Sequence, residues 1–387
     1  MRLVERGPRI SVLERLFFEL LQVAIGNRSS LSATPSSEEW LALFDEAKKQ
    51  SLLGIAFCGV ERLPEAQWPE RSLVLQWLGY VSAIEQRNEL ATSVCHLLCN
   101  GLVADGFRCC ILKGQANLAY YDKVLGNRRT CGDIDIWVVP GVADAAHPVK
   151  QVLEYLYRKA AVLSLCYLHA EVKPVRGMPV EVHLRPSFLN APVRNRRFLK
   201  LFADFDRCVY DKPVHDMGTL PVLAIRYDVL FQLNHIYRHL IDEGVGLRQV
   251  LDYYMLLRAW HKERTISNES LAVEIERLGM MRFARALMYV LHEVFAMPSE
   301  YMIVGMSEKE GRFLLCEILQ AGNFGQYDSR MNRLDVRKGK TVYQLQRAWR
   351  RFLRNLRFFT SYPEEVLWEP IARVEHLWWR KFRLWRF

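Results

Sequence analysis

Residues 111–139, ILKGQANLAYYDKVLGNRRTCGDIDIWVV, constrain the chain more than any other stretch. An apolar run ends at Lys113-Gly114, and a second apolar run carries two carboxylates, Asp133 and Asp135. Residues two apart on a strand share a face, with Cα atoms about 6–7 Å apart. Carboxylates that close repel one another unless a cation lies between them. Burying them uncompensated is costly. The pair therefore reads either as oxygen ligands of a divalent cation, magnesium first, or as two aspartates at a solvated strand edge. Alone, the motif does not choose.

A third acid bears on that choice. Residues 180–184 alternate Val180, Glu181, Val182, His183 and Leu184, with Glu181 and His183 on one side. Acids rarely sit inside apolar strands unless paired or metal-bound. Asp133, Asp135 and Glu181 on adjacent strands would be both metal ligands and catalytic residues for phosphoryl or nucleotidyl transfer. His183 reads either as a support for those ligands or as a core histidine. At Lys113-Gly114, glycine lets the backbone approach a ligand, and the next helix would offer amides to phosphate. Lys113 or Arg129 could neutralise phosphate charge.

Around this unit the chain reads as helices. Apolar residues recur at helical spacing over 11–26, 38–50 and 52–62, then over 72–104 as one helix or two with a bend. Residues 107–112 read as a strand, 115–121 as a helix and 122–131 as a loop carrying Asn127-Arg128-Arg129. Residues 134–139 read as the second strand and 147–158 as a helix; 161–169 have no clear pattern. A hairpin follows at 171–175 and 180–184. From Leu220 onward the pattern is helical. The expected fold class is α+β: a small mixed-sheet core (105–219) between an N-terminal helical region (1–104) and a helical domain (220–332), with a basic aromatic segment at 333–387.

The order of motifs resembles the DNA polymerase β-like nucleotidyltransferase superfamily, and more closely its uncharacterised bacterial nucleotidyltransferase family. The matching residues are Leu112-Lys113-Gly114, Arg129-x-x-x-Asp133-Ile134-Asp135, His169 and Glu181-Val182-His183. In the helical part they are His235-x-x-x-His239, Gly246-x-Arg248 and Asp252. The resemblance covers about residues 75–260. It implies Mg2+-dependent transfer of a nucleoside monophosphate from an NTP, ATP foremost, to an acceptor hydroxyl it does not identify. Asp133, Asp135 and Glu181 would be the metal ligands. Lys113, Gly114, Arg129, His183, His235, His239, Arg248 and Asp252 would contact substrate. For the last four, helix–helix packing with an internal Arg–Asp pair is the other reading. The superfamily's usual turn is Gly-Gly or Gly-Ser, whereas here it is Lys113-Gly114-Gln115. That departure keeps a second expectation open, a catalytically weak nucleotide- or metal-binding protein of the same fold.

Charge is concentrated at one end. The 387 residues carry a formal charge of +10, and 14 Lys/Arg against 5 Asp/Glu fall in residues 333–387. Residues 344–359 form a basic amphipathic pattern, with Arg347, Arg350, Arg351, Arg354 and Arg357 opposite Leu345, Trp349, Phe352, Leu353 and Leu356. The segment is expected to dock and bury its aromatic stripe, to lie on an anionic membrane surface, or to hold nucleic acid. Nine scattered cysteines suggest free buried thiols in a reducing compartment. Cys95, His96, Cys99, Cys109 and Cys110 lack the spacing of a zinc site. No 18-residue apolar run occurs, so no membrane span is expected. Arg2, Glu5, Glu14 and Glu19 argue against a secretory leader. A cytoplasmic location is the expectation.

Overall fold

The structure, a computed structural model, describes residues 10–142, 145–328, 330 and 340–382. Two reciprocal caps start the N-terminal helices. The Ser11 hydroxyl accepts from the Glu14 N–H (3.2 Å), and the Glu14 carboxylate accepts from the Ser11 N–H (2.7 Å), opening α1 (Val12–Ala24). Ser36 and Glu39 do the same for α2 (Ser37–Lys49). Helix α3 (Leu53–Arg62) and the single 34-residue α4 (Arg71–Ala104) complete this region.

Seven strands then form one mixed sheet. They are β1 (Phe107–Ile111), β2 (Ile134–Pro140), β3 (Val162–Leu165), β4 (His169–Val175), β5 (Met178–His183), β6 (Val209–Pro213) and β7 (Thr219–Leu223), in the order β3-β4-β5-β2-β1-β7-β6. Short helices α5 (Lys123–Asn127), α6 (Pro148–Lys159), α7 (Pro192–Leu201) and α8 (Phe205–Cys208) lie between strands. On β2 the alternation sorts the two faces. Ile134, Ile136 and Val138 join a core with Val94 and Cys95 of α4 and Val152, Leu153 and Leu156 of α6. Trp137 points the other way, against Phe202 and Phe205. The α+β expectation holds.

Two local expectations are corrected and two are sharpened. The helix expected at 115–121 is a seven-residue 3-10 helix, Gly114–Tyr120. The expected loop contains α5, capped by the Asp122 carboxylate, which accepts from the Leu125 N–H (2.9 Å). The patternless 161–169 contains β3. Helix does not begin at Leu220: residues 219–223 are β7, paired in parallel with β1 through Ile111 and Val222. Strands β6 and β7 are five residues each and carry Pro213 and Pro221, too short and too interrupted to show a period.

Beyond β7 the described residues form helices: α9 (Ile225–Asp242), α10 (Leu247–Glu263), α11 (Asn268–Arg277), α12 (Met281–Phe295), α13 (Glu308–Ala321), α14 (Lys340–Phe358) and α15 (Pro363–Lys381). Helices α9, α10, α12 and α13 share one apolar cluster with α1–α3, which also takes in Cys110, Leu112 and Trp137 of the sheet. No helix among the described residues is long and apolar enough to cross a membrane. All nine cysteines are free, seven of them buried.

Helix α14 docks the opposite way from the burial expected for its aromatic stripe. Its Arg354 is buried and donates to the last carbonyls of α9, Ile241 (2.7 Å) and Leu240 (2.5 Å). Leu345 and Trp349 remain 66% and 60% exposed, and Phe352, Leu353 and Leu356 are exposed as well.

One buried acid ties the 3-10 helix to α9. Asp228 accepts from the Tyr120 hydroxyl (2.8 Å) and the Gln232 amide (3.0 Å). Burial pushes its carboxyl up to about 7, although Gln232, Tyr120 and Lys212 oppose the rise and Asp252 adds to it. The folded value exceeds the unfolded one, so the folded state holds more protons between the two. Stability is therefore full below about pH 4 and falls as pH rises through about 7. Asp228→Asn should remove that fall. Its urea-derived stability relative to wild type should be near zero at pH 4 and rise by roughly 2–4 kcal/mol by pH 8. A difference that stays constant with pH would show that Asp228 does not titrate in this window.

Candidate active site

Register between strands assembles the acidic cluster. In the parallel β2–β5 pair, Asp135 lies opposite Glu181 and Trp137 opposite His183. In the antiparallel β4–β5 pair, His169 lies opposite His183. Neighbouring strands are about 4.8 Å apart, so one register step either way would scatter these groups. Oxygens of Asp133, Asp135 and Glu181 all lie within 4.8 Å of one another. Glu181 also belongs to a second set, His169, Glu181 and His183, of the same compactness.

Basic groups hold this charge in place. Lys113 Nζ lies 2.8 Å from Asp135 Oδ2 and 3.7 Å from Asp133 Oδ1. Burial opposes the Lys113 charge, but the Asp135 and Asp133 carboxylates outweigh it and hold the ammonium up to about 12. His183 donates Nε2–H to Asp135 Oδ1 (2.9 Å) and faces the Arg185 carbonyl with Nδ1 (3.3 Å). Burial pulls His183 down, yet Asp135 and Glu181 raise it to about 9. A doubly protonated ring fits both contacts. His169 Nδ1 lies 3.1 Å from Glu181 Oε2. Burial works against the charges on Asp135 and Glu181, and these neighbours hold both below the usual range.

These groups fit a divalent cation. A lysine ammonium already sits between two of the carboxylates and three oxygen donors converge, two from strands β2 and β5 and the third, Asp133, from the residue just before β2. Asp133, Asp135 and Glu181 are the hard donors a magnesium ion takes; the His169, Glu181 and His183 set is nitrogen-rich and would suit a transition metal.

A narrow crevice adjoins the cluster. Gly114, Arg129, Asp133, Asp135, His235, Arg248 and Asp252 are among its lining residues. Gly114 has φ +62°, the left-handed region where glycine is unstrained. The amides expected beyond it are partly spent, since the Ala116 N–H bonds the Lys113 carbonyl (3.2 Å). Arg129 forks onto Asp252 through Nε and Nη2, both 2.6 Å, and Tyr121 OH donates to the same carboxylate (2.8 Å). Arg129 Nη1 is buried without a hydrogen bond. Arg248 Nη1 donates to the Thr130 carbonyl (2.9 Å). His239 stands against His235, with ring centroids 4.3 Å apart, rather than lining the crevice. Burial holds both rings well below the usual histidine range, helped by Lys113. They present neutral imidazoles.

Sequence reasoning missed the residues that fix the loop. Asn88 of α4, fully buried, donates to the carbonyls of Asn127 (2.8 Å) and Arg129 (2.5 Å). Gln115 turns away from the crevice and donates to Thr92 Oγ1 (2.9 Å) and the Asn88 carbonyl (3.2 Å). Gly54 on α3 lets the Arg128 carbonyl pack where a Cβ would stand. The signal existed: Asn88 and Thr92 share the helical face of Ala91 and Cys95, where an unpartnered polar group would be costly.

The Arg129–Asp252 pair is almost wholly buried, with side chains 4% and 6% exposed. Asp252→Asn should cost about 3–5 kcal/mol by stranding a buried guanidinium. The double variant Arg129→Met/Asp252→Asn should fall short of the summed single effects by on the order of 1–3 kcal/mol in urea unfolding. Additivity to within about 0.5 kcal/mol would exclude the coupling.

Residues 36–296 match the model of a family described as uncharacterised nucleotidyltransferase. The crystal structure of an antigenic nucleotidyltransferase-like protein from Paracoccidioides brasiliensis aligns with 54% of this chain and 92% of its own, at 13% identity and a TM-score of 0.29, too distant to carry weight. No curated protein matches the chain. The family match spans well over half of the sequence and includes every residue of the acidic cluster and the crevice, so the chain belongs to the uncharacterised nucleotidyltransferase family.

Proposed function

We propose that this protein is a Mg2+-dependent nucleotidyltransferase of the DNA polymerase β-like superfamily, moving a nucleoside monophosphate from an NTP, ATP foremost, to an acceptor hydroxyl. The observation that carries this is the convergence of Asp133, Asp135 and Glu181 beside a crevice bearing Arg129 and Arg248. A cation held by those three oxygens supplies charge neutralisation at the transferring phosphorus and acidifies an attacking hydroxyl. The protein's own residues prepare the site for it. His183 and His169 keep Asp135 and Glu181 ionised and oriented. Lys113 and the free Nη1 of Arg129 offer positive charge to phosphate oxygens. His235 closes the crevice from the helical side as a neutral ring. The Lys113-Gly114-Gln115 turn carries no side-chain hydroxyl, the Gln115 amide is committed to α4, and Gly114 lines the crevice.

The test is incubation with each α-labelled NTP, Mg2+ and a panel of hydroxyl acceptors, following label transfer and pyrophosphate release. Wild type should transfer label from at least one NTP, and Asp135→Asn should lose on the order of 100-fold or more. His183→Gln should lose about 10–100-fold through misplacement of Asp135. Equal labelling by wild type and Asp135→Asn would sink the assignment. Nucleotide binding by calorimetry without turnover would favour the catalytically weak alternative.

A second reading concerns where the protein works, and the outward stripe of α14 favours it. Trp349, Phe352 and Leu356, with Trp368 and Trp378 of α15, are exposed on a segment that carries 14 Lys/Arg against 5 Asp/Glu over residues 333–387. Aromatic residues with adjacent cations suit an anionic lipid surface. Vesicles containing phosphatidylglycerol should sediment the protein, vesicles of phosphatidylcholine should not, and Trp349→Ala/Phe352→Ala should reduce the bound fraction several-fold. Sedimentation indifferent to lipid charge and to the substitution would reject a lipid partner. Retention on RNA alone would point to nucleic acid.

A further inference from the structure

A cavity of about 530 Å³ opens on the Glu181 side of the cluster. Its walls come from the chain just before and at the start of β4, the C-terminal half of α9, and helices α14 and α15. His169, which touches Glu181, lies on its wall. The volume is in the range of sites for small organic ligands.

The lining is dominated by one side chain: seven arginines and four carboxylates face the cavity. Three arginines are engaged. Arg354 is held by α9 carbonyls, Arg373 by Glu369 and by Asp242 (3.6 Å), and Arg238 by Asp242 (3.7 Å) and the Phe188 ring (3.8 Å). Arg347, Arg350 and Arg351 have no hydrogen bond or ion pair among the described residues. They sit on one face of α14, one and three to four residues apart. Burial first, then Arg373 and Arg347, push the Arg351 guanidinium down to about 10. Guanidinium groups crowded together without partners are what a phosphate bound by several forks requires.

Strand order gives this cavity a role. Lys113-Gly114 leaves β1 on one flank of the acidic cluster, with Arg129 and Arg248 in the crevice beside it. Glu181 on β5 and His169 on β4 form the other flank. In-line displacement places the entering and leaving oxygens on opposite sides of phosphorus. With the pyrophosphate leaving on the Gly114 flank, the acceptor must enter on the Glu181 flank, where the cavity lies.

We infer that this cavity is the acceptor subsite and that the acceptor is a small phosphate-bearing molecule, its phosphate held by Arg347, Arg350 and Arg351 and its hydroxyl directed to Glu181. The inference rests on the nucleotidyl-transfer reading above. In the step, the acceptor oxygen forms a bond to the α-phosphorus and the bond from that phosphorus to the bridging oxygen breaks. Pyrophosphate leaves with the electron pair, and the hydroxyl proton passes to water in the open cavity.

The test uses the full chain with Mg2+ and α,β-methylene-ATP, titrated with inorganic phosphate at constant ionic strength and followed by 31P line broadening. Wild type should bind phosphate saturably. Arg350→Ala/Arg351→Ala should weaken it at least ten-fold while nucleotide affinity changes less than two-fold. Arg347→Ala, at an exposed position, should weaken it several-fold, and thermal melts establish that each variant is folded. Phosphate binding that is absent, or equal in wild type and variants, overturns the subsite. Nucleotide binding that falls together with phosphate binding also overturns it, because the arginines would then hold the triphosphate. Loss of nucleotide binding in wild type would instead defeat the nucleotidyl-transfer reading, while the phosphate titration still reads the cavity.

Discussion

Three carboxylates held within 4.8 Å of one another set the terms for everything around them. The parallel register of β2 and β5 makes the convergence unavoidable, since Asp135 and Glu181 face each other across neighbouring strands. Mutual repulsion and burial both favour protonation. The fold resists with one lysine and two histidines, placed by the same strands: Lys113 two residues beyond the end of β1, His183 two residues after Glu181, and His169 across from His183. The site is thus kept charged before any ligand arrives. A cation entering it would exchange one positive partner for another rather than meet bare repulsion.

The helical parts solve a related problem one layer out. Arg129 is deeply buried, and a lone guanidinium there would be untenable. Asp252 of α10 takes two of its donors and Tyr121 completes the carboxylate, which leaves the third nitrogen toward the crevice residues. Backbone carbonyls in the same loop are satisfied by Asn88, and Gln115 closes the network onto α4. Helices before and after the sheet in sequence therefore hold one loop between them. Their shared apolar cluster is what makes this rigid.

Much of the centre was legible because strand alternation and acid placement leave a strong mark. Acids inside Val- and Ile-rich runs gave the three carboxylates, and His183 followed from the same period of two. Side chains that act through tertiary partners were harder. Asp252 suggested a pair with Arg248 at helical spacing, whereas its fork goes to Arg129 on a distant loop. Gln115 looked like a defect in a phosphate turn and is instead a strut to α4. The two five-residue strands at 209–213 and 219–223 exist because β1 offers an unpaired edge, which is a property of the sheet and not of their own residues.

The C-terminal helices show why amphipathicity does not fix orientation. A two-faced helix has a direction of contrast, but which face turns inward depends on what the body presents. Here the body presents buried acids and carbonyls: Glu317 on α13, Asp328 and the end of α9. Arg357 lies 3.1 Å from Glu317, and Arg354 caps α9. Guanidinium groups that satisfy such acceptors gain more than a second apolar contact on a core already closed by α1, α12 and α13. Arginine therefore faces in, and the stripe of Trp349 and Phe352 faces out. The same choice carries Arg347, Arg350 and Arg351 to the wall of the cavity that His169, the neighbour of Glu181, also lines, which makes the basic segment part of the site's surroundings rather than an appendage to it.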